Sequence, residues 1–230
     1  MLTLRGAISA FGIAISCCVS ATPAYSAVDL IGSISPNTVV VDPWVITTST
    51  TLGIQQATFL DVHDGGTVDA TNANFLILGD GFDSTVYVEV NVRDSGSSIS
   101  AKNLVLNPVE VTRVFVDNGG AVTVDDDFFV DFPLGTVDST VVVSGSGSQL
   151  AVGGNVSLQK LIIADGANVL TGTDMSNTDA GDNAITTSIY DANLRGAGST
   201  WTDHNFILVY GTLSIDDGAH LTSTIEPTLI

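Results

Sequence analysis

Basic residues are scarce in this chain of 230 residues, and their scarcity argues against two classes of partner. Lys and Arg number 6 against 25 Asp and Glu, which gives a net charge of −19 although only 13% of residues are charged. Nucleic acids and anionic membrane surfaces are bound by cationic patches, so we expect neither as a partner. The 44% of apolar residues is enough to bury a core.

Cysteine is confined to the start of the chain. Cys17 and Cys18 lie in a segment that has the three parts of a secretory signal peptide. A positive charge precedes an apolar run over residues 7–21, and small residues then allow cleavage after Ser26. We therefore predict that residues 1–26 are a signal peptide, and that the secreted chain is stable without disulfides.

Two other interpretations of the N-terminal segment stay open. In one, the apolar run is a membrane anchor, although it is short for a span of ~20 residues and is interrupted by Ser. In the other, the sequence AISC is a lipoprotein signal that ends at Cys17, with Ala14 where Leu is usual. Either would hold the chain at a membrane.

Helical periodicity is almost absent. No stretch keeps apolar residues at helical spacing beyond one or two turns, and Val, Thr, Ile and Gly dominate the sequence. Short runs of β-branched residues between Gly-containing turns are typical of strands. The pattern predicts an all-β fold.

An internal repeat is the main positive feature. The sequence LRGAGSTWTDHN at residues 194–205 has two weaker copies upstream, and their central glycines Gly96, Gly147 and Gly198 are 51 residues apart. Three positions after each glycine stands a large apolar residue, namely Ile99, Leu150 or Trp201. A fixed period of this length is typical of a repeat architecture.

A second unit alternates with the first. It occurs at residues 59–68, 114–122, 161–169 and 213–221, where two strand-like segments flank an Asp-Gly or Asn-Gly turn. Three aliphatic columns align across the copies: Leu60, Val114, Leu161 and Leu213; Val62, Val116, Ile163 and Ile215; Val68, Val122, Val169 and Leu221. The first two columns are two residues apart, so their side chains share one face of a strand.

Aligned columns favour a solenoid over a sandwich or barrel, because stacked coils must offer the same inward residue at the same place. We predict a parallel β-helix of about eight coils of ~20 residues, two to each 51-residue period, and roughly 40 Å long. Residues 27–56 would start or cap the solenoid, residues 57–224 would form its repeats, and residues 225–230 would end it. The longer gaps between units must hold an extra loop or strand.

The repeat resembles one shared by type V secretion (autotransporter) passengers and PEP-CTERM-associated surface proteins. That family pattern is Gly-x-Gly-Ser-x-Trp, a short strand, Gly-x-Leu-x-Ile and a Gly-Gly or Gly-Ala turn before Val. The last copy matches it at Gly196, Gly198, Ser199, Trp201, Gly211, Leu213, Ile215, Gly218 and Leu221. The resemblance covers about residues 57–224 and is weaker in the earlier copies, where Ile99 and Leu150 replace Trp.

The resemblance implies a right-handed β-helix that is secreted or displayed on the surface of a Gram-negative bacterium. It also implies an outer-membrane β-barrel translocator, in cis or lost by truncation. No barrel-like segments and no PEP-CTERM anchor are visible up to residue 230, so a truncated passenger held in the periplasm is one expectation.

Catalysis is the alternative function, because parallel β-helices also carry polysaccharide lyases and hydrolases with paired carboxylates. The segment VDDDFFVDF at residues 124–132 offers Asp125, Asp127 and Asp131, which a solvated acidic edge explains equally. Basic residues that would hold acidic sugars are few after residue 26: Arg93, Lys102, Arg113, Lys160 and Arg195.

Metal and ligand candidates are weak. His63, His204 and His220 are dispersed, although the turns beside His63 and His220 leave open that these two lie on nearby corners. Asp and Asn alternate at residues 78–85 and 177–183 without matching a known calcium loop. Trp201 either stacks on a sugar or fills the column of Ile99 and Leu150, and its place in the column favours the core.

The sequence therefore predicts a non-catalytic β-helical passenger that presents surface loops for adhesion to a host or matrix ligand. We predict no catalytic, cofactor-binding or metal-binding residue and no cofactor. A carbohydrate-active enzyme on the same scaffold is the alternative, and a calcium-stabilised matrix or S-layer-like component is a third possibility.

Overall fold

A computed structural model describes residues 27–32, 34–35, 40–53, 56–79, 87–107, 111–130, 138–173, 186–224 and 228–229. Every regular element in these ranges is a β-strand, as the sequence predicts. The predicted signal peptide, Asp131, most of the segment 78–85 and all of the segment 177–183 lie outside the described residues.

The strands stack in three ladders, numbered here β1–β23 along the chain. Ladder one contains β1 (Ala27–Ile31), β5 (Thr58–His63), β8 (Tyr87–Arg93), β11 (Val111–Asp117), β14 (Asp138–Ser144), the second halves of β16 (Val156–Ala164) and β18 (Thr186–Arg195), and β21 (Leu213–Ile215). Ladder two contains β3 (Trp44–Val45), β6 (Thr67–Ala70), β9 (Ser98–Ala101), β12 (Ala121–Val124), β15 (Gln149–Val152), β17 (Asn168–Thr171), β19 (Thr200–Asp203) and β22 (His220–Ser223). Ladder three contains β2 (Ile34–Ser35), β4 (Thr50–Leu52), β7 (Leu76–Leu78), β10 (Leu104–Leu106), β13 (Phe128–Val130), the first halves of β16 and β18, β20 (Phe206–Val209) and β23 (Thr228–Leu229).

Neighbouring strands within a ladder are parallel, with two exceptions near the N-terminus. There β1 pairs antiparallel with β5, and β2 pairs antiparallel with β4. The long strands β16 and β18 run through the corner between ladders three and one, and so join them into one 15-stranded sheet beside the eight-stranded ladder two. This curled, mostly parallel sheet is consistent with the predicted solenoid class. We call one passage through ladders one, two and three a coil.

The predicted aliphatic columns stack in the interior. In ladder one, Leu60 is in register with Val90, which continues through Val114, Val141, Leu161 and Ala192 to Leu213. All of these except Leu213 are at most 2% exposed. The alternation of buried and half-exposed residues along each strand directs one face inward, and each fully buried aliphatic side chain contributes about 1.5–3 kcal/mol.

The two sequence units are one structural unit in alternate coils. The segment from Val92 to Ile99 occupies the place of the segment from Val62 to Val68 in the preceding coil, because Val62 pairs with Val92 and Val68 with Ile99. The 51-residue spacing therefore covers two coils, as predicted. The long gaps between units hold ladder three, whose strands the sequence analysis did not assign.

Candidate functional site

The corners between ladders one and two have two alternating lengths. In a short corner, the last inward residue of the ladder-one strand and the first inward residue of the ladder-two strand are six positions apart in the sequence, as Val116 and Val122 are. Their turns place Asp or Asn and then Gly at positive φ, with φ of 50° at Asn118 and 90° at Gly119, as in type I′ turns. The four short corners contain Asp64–Gly66, Asn118–Gly120, Asp165–Ala167 and Asp217–Ala219.

In a long corner, the same two inward residues are seven positions apart in the sequence, as Val143 and Leu150 are. The three long corners are residues 94–97, 145–148 and 196–199, and each ends in a buried serine. Each serine hydroxyl accepts a hydrogen bond from a glycine amide in the short corner of the preceding coil. These bonds join Gly65 N to Ser97 Oγ at 2.9 Å, Gly119 N to Ser148 Oγ at 3.0 Å and Gly166 N to Ser199 Oγ at 3.0 Å.

A second polar ladder runs along the corner before ladder three, and it includes the candidate acid Asp127. Asn103 Oδ1 accepts the amide of Asp127 at 3.1 Å, and Asp127 Oδ1 accepts the amide of Asn155 at 2.7 Å. Asn155 Oδ1 in turn accepts the amide of Thr186 at 3.0 Å. Asp127 therefore satisfies backbone donors of the next coil, while Asp125 is exposed.

The histidines do not converge. His63 ends β5 in the second coil and His220 begins β22 in the last, so the alternative that places them on nearby corners is wrong: they are about six strand spacings of ~4.8 Å apart. His63 instead contacts Asp64 at 3.0 Å and Asp29 of β1 at 3.2 Å. The hydrogen bond to Asp64, followed by that to Asp29, raises the pKa of His63 above 6.5.

Next to His63, ladder one carries a charged cluster. Arg93 makes two 3.0 Å hydrogen bonds to the carboxylate of Asp61 and lies 3.6 Å from Asp94. In the next coil, burial raises the pKa of Asp117, with Asp94 adding to the rise and Arg93 opposing it. The cluster joins successive coils through the Arg93–Asp61 ion pair, but its carboxylates outnumber its one guanidinium, and Asp117 Oδ1 is buried without a hydrogen-bond partner among the described residues.

Trp201 fills the core, as its column predicts. It is 0% exposed and pairs in register with Val169 and Leu221. Its Nε1 donates to Thr171 Oγ1 at 3.0 Å, and Thr171 in turn contacts the buried carboxylate of Asp203. Sequence reasoning missed this network: Asp203 is the last residue of β19 and occupies an inward position two residues after Trp201, where the other coils have an apolar or uncharged residue.

A groove on the outer face of ladder one is the best candidate binding site. It has a volume of about 180 Å³ and is lined by Lys160, Asp191, Ala192, Asn193, Thr212 and Ser214. Its residues come from three successive coils, which register places side by side. Asp191 Oδ1 accepts the amide of Thr212 at 2.8 Å, and Asn193 Oδ1 is buried without a hydrogen-bond partner among the described residues.

Two exposed aromatic residues are close in sequence to the lining residues Asp191 and Thr212. Tyr190 and Tyr210, which are 38% and 43% exposed, lie at the same corner, where Tyr190 O accepts the amide of Gly211 at 2.8 Å. Exposed aromatic rings beside hydrogen-bonding groups offer both an apolar surface and polar contacts. The groove presents one carboxylate, that of Asp191, and one ammonium group, that of Lys160.

Within the described ranges, no three His, Cys, Asp or Glu side chains are grouped closely enough to hold a metal ion. The same ranges include no helix with the length and apolar character that crossing a bilayer requires. In comparisons with known proteins, no family model, no curated protein and no solved structure matches the chain.

Proposed function

We propose that the chain is a right-handed parallel β-helix of about eight coils that acts as a non-catalytic scaffold, secreted or displayed on a Gram-negative surface. In this role it presents loops to a host or matrix ligand, as an autotransporter passenger does. Export would use residues 1–26 and then an outer-membrane β-barrel translocator. The stacked columns, parallel register and repeat length support the proposed fold.

The observation that carries the proposal is the contrast between corners. From β5 onwards, every described corner from ladder one to ladder two keeps one of two fixed lengths. The connections on either side of ladder three vary, from none within β16 to eight residues at 79–86 and fourteen at 172–185. Repeat proteins place variable insertions on one side of a constant stack, where they often form the binding surface.

An epitope-insertion experiment tests this division. A short tag placed within residues 131–137 should leave the unfolding transition unchanged and bind antibody on intact cells that export the chain. The same tag placed within the short corner 118–120 should abolish the cooperative transition, because that corner contacts the coils on both sides. Equal tolerance of both insertions, or a tag reachable only after lysis, would contradict the proposal.

Processing and adhesion are tested on the same exported chain. Its mass should correspond to cleavage after Ser26, with Ala27 first. Attachment to immobilised matrix components should fall when residues 174–183 are shortened, while the circular dichroism spectrum stays unchanged. Attachment that survives shortening of every variable connection would show that the loops are not the contact surface.

A carbohydrate-active enzyme is the second candidate, and the groove beside Tyr190 favours it. The variant pair Lys160→Gln and Asp191→Asn removes both charges of the groove. Lys102→Gln with Asp126→Asn is the matched control, because that ion pair lies 3.9 Å apart outside the groove. Release of oligosaccharides from a polysaccharide panel by the parent and control chains, but not by the groove variant, would establish the enzyme and overturn the scaffold.

A further inference from the structure

The two ends of the stack differ. At the N-terminal end, β1 pairs antiparallel with β5, and β2 pairs antiparallel with β4. At the other end, β21 pairs with β18 and β22 pairs with β19, and no described strand pairs with the far side of either. The C-terminal end therefore presents the outer edges of β21 and β22, to which no described strand is hydrogen-bonded.

Apolar side chains are uncovered at this end. Ile215 is 44% exposed, whereas Val62, Val143 and Leu194 of the same column are all 0% exposed. Leu213 and Leu221 are half-buried, although the members of their columns in earlier coils are buried. These side chains form an apolar surface that the next coil covers at the corresponding positions of earlier coils.

The alternation of corners specifies what fits this interface. Each of the first three short corners is followed by a long corner, whose serine accepts the amide of the glycine at 2.9–3.0 Å. The last described corner, which contains Gly218, is a fourth short one, with φ of 53° at Asp217 and 78° at Gly218. Gly218 is exposed, and no described residue accepts its amide hydrogen.

We infer that the surface formed by β21 and β22 is a docking site for one further parallel β-coil with a long corner, of the pattern Gly-x-Gly-Ser-x-apolar. The serine of that coil accepts the amide of Gly218, and its apolar residue covers Leu221 as Trp201 covers Val169. Its preceding strand covers Leu213 and Ile215.

A second copy of this chain does not meet the requirement. Stacked head to tail, it would offer the antiparallel strands β1 and β2 in ladders one and three. If two copies joined through their C-terminal ends, the edge strands of one copy would pair antiparallel with those of the other. The two corners that contain Gly218 would then meet, and neither copy would offer a serine to the other's Gly218 amide. The occupant is therefore a coil with a long corner.

The test adds such a coil to the full chain. The added segment is a copy of residues 190–209 placed directly after Ile230. Its Ala192 then lies four positions after Leu229. Leu229 pairs with Val209, and Leu213 lies four positions after Val209, so the added coil keeps the spacing of the last natural coil. The matched controls are the same copy with Ser199→Ala, and a copy of residues 112–130, whose corner is short. Hydrogen exchange at Gly218 and along β21 and β22 is measured, together with Tm.

The serine-bearing coil should protect β21, β22 and Gly218. In the Ser199→Ala copy, the Gly218 amide should exchange about fivefold faster, which is a net hydrogen bond of about 1 kcal/mol converted to a rate ratio. The short-corner copy should give less protection throughout and a lower Tm. Unchanged exchange at β21 and β22 with the serine-bearing coil, or equal protection by the short-corner copy, would overturn the inference.

Discussion

At each long corner, one buried hydroxyl connects two coils. Ser148 is 0% exposed and accepts the amide of Gly119, whose positive φ directs that amide away from its own coil. A buried amide without an acceptor costs about 1–3 kcal/mol, so the serine is required wherever a short corner is covered by the next coil. The asparagine and aspartate residues before ladder three meet the same need at the second corner.

Replacement of Ser148 by Ala should lower the free energy of unfolding by about 1–3 kcal/mol, because Gly119 loses its acceptor while remaining covered. Ser146→Ala in the same corner is the control, since Ser146 is exposed, and it should change stability by less than about 0.5 kcal/mol. Urea denaturation followed by circular dichroism measures both. Equal losses in the two variants would show that the hydroxyl of Ser148 is not responsible.

Replacement of Asp127 separates a structural role from a catalytic one. Asp127→Asn keeps the oxygen that accepts from Asn155, so it should change Tm by less than about 2 °C. Asp127→Ala removes that acceptor and should cost about 1–3 kcal/mol. If Asp127→Asn abolished an activity on polysaccharides while Tm stayed constant, the carboxylate would have a chemical role instead.

Among the elements, β1 differs in direction and in how it is attached. It runs antiparallel along β5, and His63 of β5 joins it through Asp29. Both carboxylates that contact His63 are more than half exposed, at 70% for Asp29 and 58% for Asp64. Solvent therefore screens the contacts of His63 with both carboxylates, and we expect their contribution to stability to be below about 1 kcal/mol.

The attachment of β1 should depend on pH. The pKa of His63 is raised in the folded state, so its stabilisation is complete below the ordinary value of 6.5 and is lost as pH rises through the folded value. His63→Gln should therefore destabilise the chain at about pH 5.5 and have little effect at about pH 8.5.

Hydrogen exchange in β1 measures the effect directly, and His220→Gln is the control because His220 is exposed. A difference between the parent chain and His63→Gln that is the same at both pH values would rule out titration of His63 as its cause.

The elements differ in how well the sequence predicts them. Ladders one and two are predictable because aliphatic pairs two residues apart flank turns of nearly constant length, as at Leu60 and Val62. Ladder three is not, because the connections on both sides of its strands vary in length, so no fixed spacing marks them. The groove is equally hidden, since Lys160, Asp191 and Ser214 come from three coils and only register brings them together.

At the scale of the whole molecule, the net charge of −19 opposes the compact state. Most of this charge lies on Asp, and only a few cations compensate it, such as Arg93 beside Asp61. Salt shortens the range of this repulsion, from about 30 Å at ~0.01 M to about 10 Å at ~0.1 M.

Tm should therefore rise by a few degrees as NaCl increases over that range. CaCl₂ at equal ionic strength should give the same rise if calcium only screens charge. A larger rise with calcium that a chelator reverses would instead indicate a specific site in the Asp-rich segments 78–85 or 177–183. A Tm that falls with NaCl would show that ion pairs such as that of Arg93 outweigh the repulsion.

The alternation of short and long corners restricts how a gene for such a protein can change in length. Removal of a single coil would set two serine-bearing corners side by side, or would set two short corners side by side and leave one glycine amide without a serine acceptor. Removal or duplication of 51 codons, the spacing of Gly96, Gly147 and Gly198, keeps each serine-bearing corner next to a glycine-bearing short corner. Recombination between copies should therefore add or delete coils in pairs, and homologous chains should differ by even numbers of coils.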